Sequence, residues 1–236
     1  MKERDENNGV NDQLPQGAAI CSPAPRKNWV NSRNKQRVVL LGDNSGSMAG
    51  AKAAQAHAGL QQLIENLAQP VNRNGFHVGV VYFNNDASIV HPWTFATALV
   101  SAIAPLNPGG YTNIAAAFEK ALTMLEEAQK QDEQQNTYVY LRPALFFYSD
   151  GQNTKGDDPR QAAEKVKVLA DVVTIAIGAD ADQTLLQDLA TSPAHAYQVS
   201  NAAELRKILA EAGATVTQSF QRGEDATHVI TKLQNG

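Results

Sequence analysis

From Arg37 onward, short apolar runs alternate with stretches of helical periodicity, the pattern of a mostly parallel sheet flanked by helices. Val38-Val39-Leu40-Leu41 reads as a first buried strand. Ala53, Ala56, Leu60, Leu63 and Leu67 then recur at helical spacing and give one apolar face to a helix of roughly five turns that ends before Pro70. Residues 78–83 form a second strand, Asn84-Asn85-Asp86 a turn, and residues 87–90 its hairpin partner. Pro92 puts that partner at a sheet edge, because proline lacks the donor that a central ladder needs. Residues 95–103 read as a short helix. Ile114, Ala117, Phe118, Ala121, Leu122 and Leu125 mark a longer one, whose charged and glutamine-rich end, residues 126–135, reads as solvated. Residues 144–148 are nearly all apolar, as a central strand covered on both faces should be. A helix through Ala170, a strand over 172–177, a helix capped by Asp182, a short strand over 196–199 and a helix from Ala202 to about Phe220 complete the pattern. The expected fold class is α/β, a three-layer αβα arrangement with a mostly parallel sheet and one antiparallel edge strand.

Residues 1–36 break this pattern: they are rich in Asn, Gln, Pro, Lys and Arg and carry no sustained periodicity, as expected of a flexible arm. Within it, Trp29-Val30 among basic residues fits either a partner-docking segment or a turn packed on the domain edge. A single domain over 37–220 with a tail over 221–236 suits a chain of 236 residues. No apolar run is long enough to span a bilayer, and the polar start Met1-Lys2-Glu3-Arg4 has no secretory signal behind it, so the cytoplasm is the expected compartment and no membrane partner is expected. Cys21 is the sole cysteine, which excludes an intramolecular disulfide and a cysteine-based metal site. With 20 basic against 24 acidic residues and a formal charge of −4, no nucleic-acid partner is expected either.

Three loop motifs carry the candidate chemistry: Asp43-Asn44-Ser45-Gly46-Ser47 after the first strand, Gly109-Gly110-Tyr111-Thr112-Asn113 before a helix, and Ser149-Asp150-Gly151 after the central strand. In an open α/β sheet that edge is where ligands bind. The side chains offered all end in oxygen, which hard divalent cations choose, and Gly46 would let the first loop curl round one point. Asp-x-Ser-x-Ser alone arises by chance at ~5% in a chain this long, so the weight falls on the three motifs together. Lys52 and His57 lie one and three turns into the following helix, which argues against direct metal contact. The five histidines, at 57, 77, 91, 195 and 228, are scattered singly, and neither phosphate-loop nor dinucleotide glycine fingerprints are present. Asn84, Asp86, Tyr111, Asn113, Gln152 and Asn153 flank the loops as either a partner rim or plain solvated residues.

With these residues the chain resembles the von Willebrand factor type A domain with its metal-ion-dependent adhesion site. The family's Asp-x-Ser-x-Ser falls on Asp43, Ser45 and Ser47, its threonine on Thr112 and its second aspartate on Asp150. Gly42 departs from the bulkier apolar residue that often precedes the aspartate. The resemblance covers about residues 37–220 and implies a Rossmann-like fold, a Mg2+ (or Mn2+) ion held by those side chains, and a protein partner whose Asp or Glu carboxylate completes the coordination. It implies a non-enzymatic interaction module, similar to the TerY-type proteins of bacterial tellurite-resistance, stress or defence systems. A Mg2+-dependent phosphoryl-transfer enzyme is the alternative, weakened by the lack of a basic residue within the three loops. A subunit role beside an AAA ATPase or chelatase is a third reading.

Overall fold

The computed structural model describes residues 29–226, so most of the expected arm and the end of the expected tail lie outside the described residues. The apolar runs form the strands β1 (Asn34–Asp43), β2 (Phe76–Phe83), β3 (Ala87–Phe95), β4 (Val139–Ser149), β5 (Asp171–Ile177) and β6 (Ala196–Val199). The periodic runs form the helices α1 (Ala51–Leu67), α2 (Ala96–Leu99), α3 (Ile114–Gln135), α4 (Arg160–Leu169), α5 (Gln183–Leu189) and α6 (Ala202–Arg222). The strands make one sheet in the order β3-β2-β1-β4-β5-β6. Only the β2–β3 pairing is antiparallel.

Parallel neighbours need crossover connections, which lay helices on both faces of the sheet. Successive residues of a strand therefore serve opposite cores. Val38, Leu40, Phe146 and Ile175 pack with Leu60 and Leu63 of α1 and with Leu205, Leu209 and Phe220 of α6. Val39, Leu41, Leu145 and Phe147 pack instead with Ile114, Phe118 and Leu125 of α3 and with Val166 of α4. α1 and α6 come close at a glycine of each: a Cβ on Gly213 would fall 2.9 Å from Leu63 Cα, and one on Gly59 3.0 Å from Arg206 Cα. The fold is the expected three-layer αβα arrangement, with β1 and β4 central and β3 at the edge.

Several local expectations change. β1 starts at Asn34, inside the stretch expected to be an arm, and Trp29 lies buried in the first core, its carbonyl accepting from the Asn34 side chain at 2.7 Å. The large apolar area of an indole is enough to hold this segment down. β3 continues past Pro92 to Phe95, and the pairing with β2 shifts register there, which keeps the missing donor off the ladder. Of the helix expected over 95–103 only α2 forms. Phe95 is taken up by pairing with His77, and the Ala104 N–H is drawn to the His91 ring at 3.0 Å. The end of α3 is not wholly solvated, since Ala128 is buried and Asp132 binds Arg37.

That ion pair anchors the amino-terminal end of the sheet. Arg37 forks onto Asp132, with one arm at 2.7 Å, and its guanidinium carbon lies 3.7 Å from the Tyr140 ring centroid. His77 sits beside it among Phe95, Tyr138 and Tyr140, its Nδ1 2.8 Å from the Tyr140 hydroxyl. Burial, helped by the positive charges of Arg37 and Lys35, lowers the His77 pKa from 6.5 to about 4. As pH falls the unfolded chain thus takes up this proton first, so the contribution to stability is complete above about 6.5 and is lost progressively down to about 4. Discounted for the partial exposure of the ring, the loss is about 1–2 kcal/mol. Denaturant titrations of the wild type and His77→Asn at pH 7 and pH 4 should show the wild type losing that much more; parallel losses would refute the assignment.

Candidate metal centre

The candidate residues meet because of strand register. β1 and β4 are parallel neighbours with Gly42 opposite Tyr148, so Asp43 at the end of one lies beside Ser149 at the end of the other, and Asp150 follows immediately. This is also where the chain, having built β2 and β3 on one side of β1, crosses to build β4, β5 and β6 on the other. Crevices at such switch points gather loops from both halves of a sheet. Asp43 is fully buried and Asp150 is 4% exposed.

Hydroxyl groups organise the two carboxylates. Asp43 accepts the Ser45 N–H on one oxygen at 2.8 Å and the Ser149 hydroxyl on the other at 2.5 Å. The hydroxyls of Ser45 and Ser47 lie 3.0 Å apart, and Ser47 donates to Asp150 Oδ1 at 2.6 Å. Gly109 and Gly46 lock the second loop onto the first, through Gly109 N–H to the Asn44 carbonyl at 2.9 Å and Gly46 N–H to the Gly110 carbonyl at 3.1 Å. Gly46 serves this approach, not an unusual backbone conformation: positive φ in these loops occurs at Gly50 and Gly110. Thr112 is fastened to the third loop, its N–H donating to the Thr154 hydroxyl at 3.0 Å and its carbonyl accepting the Thr154 N–H at 3.0 Å. A Cβ on Gly151 would stand 3.5 Å from Thr112 Oγ1 and 3.9 Å from Ser47 Oγ, so that glycine leaves open a small space bounded by both hydroxyls. All five candidates, Asp43, Ser45, Ser47, Thr112 and Asp150, thus border one spot.

The electrostatics of that spot call for a cation. Burial raises the Asp43 carboxyl above its ordinary range, against the lowering effect of its bonds from Ser149 and Ser45, and the neighbouring Asp150 charge raises it further. A cation is in fact present: the Lys52 ammonium, from the first turn of α1, is ion-paired to Asp150 Oδ2. No basic residue lies within the three loops, as expected, but Lys52 reaches Asp150 from the helix that follows the first of them. Counting helical turns misses that a flexible lysine stem reaches back over the loop before its own helix. The signal available in the sequence was a lysine in a first turn, where the helix dipole disfavours it. The ammonium is a stand-in that shows the pocket of oxygens accepting positive charge. Among the described residues no group of three or more His, Cys, Asp or Glu comes together, so a metal here would be held by two carboxylates and neutral hydroxyls. That donor set fits a hard divalent ion.

Much of the expected rim has local work. Asn113 caps α3 by accepting the Ala116 N–H at 3.1 Å, and Asn153 accepts the Ile114 N–H at 3.0 Å. Asn85, not singled out from the sequence, ties down the second loop by accepting the Tyr111 N–H at 2.9 Å. Tyr111 itself is 65% exposed beside the site. A cavity of about 380 Å3 lies at the opposite end of the sheet, beside Arg37, Tyr140 and Arg142.

The sequence profile of the von Willebrand factor type A domain matches residues 38–211. The chain belongs to this family. Several solved structures share the fold. A protein from Catenulispora acidiphila has a TM-score of 0.63 and 17% identity over 78% of this chain and 43% of that one. The pilus adhesin SpaC of Lactobacillus rhamnosus GG has a TM-score of 0.65 and 14% identity over 84% of this chain and 32% of that one. The proximal thread matrix protein 1 of the mussel byssus, in a structure described as having a zinc-occupied MIDAS motif, has a TM-score of 0.57 and 18% identity over 80% of this chain and 47% of that one. The chain spans less than half the length of these proteins. No curated protein matches it by sequence at a significant level.

Gly42, the departure from the usual type A pattern, has a structural cause. A Cβ there would fall 2.4 Å from the Tyr148 hydroxyl, which is buried without a hydrogen-bond partner among the described residues. Gly42→Ala should cost about 1–3 kcal/mol through overpacking, with Tyr148→Phe recovering much of it in the double variant; equal stability of Gly42→Ala and wild type in urea would refute the clash. A second outcome concerns Asp43. A raised carboxyl holds its proton more tightly folded than unfolded, so the stability it lends is present at low pH and lost as pH rises through its folded value. Asp43→Asn should therefore melt higher than wild type in EDTA at neutral pH, by about 2–4 °C for each kcal/mol recovered. A lower melting temperature would show that the buried charge is already fully compensated.

Proposed function

We propose that this type A domain is a divalent-cation-dependent protein-interaction module. In this reading Asp43, Ser45, Ser47, Thr112 and Asp150 hold Mg2+ (or Mn2+), and an Asp or Glu carboxylate of a protein partner binds at the same ion. The observation that carries it is the convergence of hydroxyls from separate loops on two buried carboxylates at the switch point of the sheet. When bound, the ion supplies a Lewis-acidic attachment point for an anionic oxygen. The chain's own residues do the rest: Asp43 and Asp150 supply charge, the hydroxyls supply neutral ligands, and Ser149 and the Ser45 N–H orient Asp43. Two carboxylates balance a dication without excess, so an incoming carboxylate is not repelled by surplus negative charge. The zinc-occupied motif of the mussel protein supports a divalent ion at this place in the fold.

The exposed aromatic ring of Tyr111 beside the site suits contact with a macromolecular partner. No helix of the described residues is long and apolar enough to cross a membrane. The resemblance of the motifs further suggests an adaptor or regulatory component of a bacterial stress, tellurite-resistance or defence system working in the cytoplasm, or a subunit beside an ATPase.

Lys52 favours a second reading, a Mg2+-dependent phosphoryl-transfer enzyme, since such sites use a lysine for charge. Against it, among the described residues no histidine joins the cluster to act as a base. A bait of the full chain should retain its partner from lysate in Mg2+ and lose it in EDTA or as Asp43→Ala. Equal retention in all three would overturn the ion-bridged reading, and phosphatase turnover abolished by Asp43→Ala would establish the enzyme.

A further inference from the structure

Lys52 stands against the electrostatics of its own helix. The first turn of a helix carries the positive end of the dipole and favours acidic side chains, yet α1 has none there and places Lys52 at its second residue. Its N-cap, Gly50, provides no side-chain capping either, so nothing in the helix rewards the position. What rewards it is Asp150. That carboxylate's side chain has no exposed surface, and its oxygens are both engaged, Oδ1 by Ser47 and Oδ2 by the ammonium. The lysine side chain, by contrast, is 43% exposed. A buried anion with an exposed, flexible cation as its partner is a pair that opens from one side, since the ammonium regains its water on leaving and the carboxylate does not.

The charges around the spot give this pairing a consequence. Asp43, Asp150 and Lys52 sum to one negative charge; a dication added on top leaves one positive, and the sum reaches zero when the ammonium departs. An ammonium at hydrogen-bonding distance from a prospective ligand also repels a dication at that ligand far more than it would in water. We propose that Lys52 is an internal counter-cation that competes with the divalent ion for Asp150 and so sets the concentration at which the site loads. This rests on the metal-dependent reading above. Without metal, Lys52 neutralises Asp150 and keeps the loops together; with metal, it swings into solvent at the rim.

Mn2+ titrations of the full chain, by calorimetry or by the loss of free-ion paramagnetic resonance signal, test this. Lys52→Gln should bind Mn2+ about tenfold or more tighter than the wild type, and Lys52→Arg, which keeps the charge, should stay near the wild type. In EDTA Lys52→Gln should melt below the wild type, and in saturating Mn2+ the order should reverse, a crossing that a purely structural lysine would not produce. The wild type provides a check independent of whether the variants fold: Mn2+ should raise the rate at which an amine-acetylating reagent modifies Lys52, read by peptide mass spectrometry. Mn2+ binding by the wild type together with unchanged or weaker binding by Lys52→Gln, or with unchanged Lys52 acetylation, overturns the inference and leaves the metal-dependent reading standing. Absence of Mn2+ binding in both wild type and Lys52→Gln overturns that reading and the inference with it.

Discussion

Two carboxylates buried next to each other, at the ends of adjacent parallel strands, are the constraint around which the rest of this molecule is arranged. Asp43 and Asp150 come together because β1 and β4 pair in a register that sets Gly42 opposite Tyr148. Taking such groups out of water is expensive unless their lone pairs are met and their charge is balanced. The structure meets the lone pairs with Ser149, Ser47 and the Ser45 N–H, and part of the charge with Lys52. The glycines of the loops follow from the same requirement. Gly46 and Gly110 let two loops touch through their backbones, and Gly151 keeps open the space between Thr112 and Ser47.

The two ends of the sheet are built differently. At the amino-terminal end, long strands are closed by Arg37 and Asp132 under Tyr140, with His77 packed among aromatic rings. At the carboxyl-terminal end, side chains of loops meet at a surface and their anionic charge exceeds the cationic charge supplied. Internal ion pairing and ring packing close the first end, and electrostatic demand is left unbalanced at the second. The close approach of α1 to α6 at Gly213 belongs with the first kind of feature; the exposed Tyr111 belongs with the second.

The expected strands and helices correspond to those observed wherever burial alternates with a clear period, as in β1, β4, α1 and α6. Expectation failed where a long-range partner overrides local pattern. The charged end of α3 looks solvated in the sequence, yet Asp132 is claimed by Arg37 from a strand far away in the chain. For Trp29, where the sequence left a packed turn and a partner-docking segment both open, the core decides for packing. The helix expected over residues 95–103 is cut short by pairing of Phe95 and by His91, neither of which shows in a local window.

The sequence by itself determined the layer architecture and the identity of the oxygen-bearing loops, because hydrophobic period and strand-end motifs are properties of neighbouring residues. Only the tertiary structure decided that Lys52 joins Asp150, that Gly42 makes room for Tyr148, and that Asn113 and Asn153 are bound up in holding loops and helix starts. Those facts depend on distances across the strand register and on how far a flexible side chain reaches. Neither quantity is carried by the order of residues along the chain.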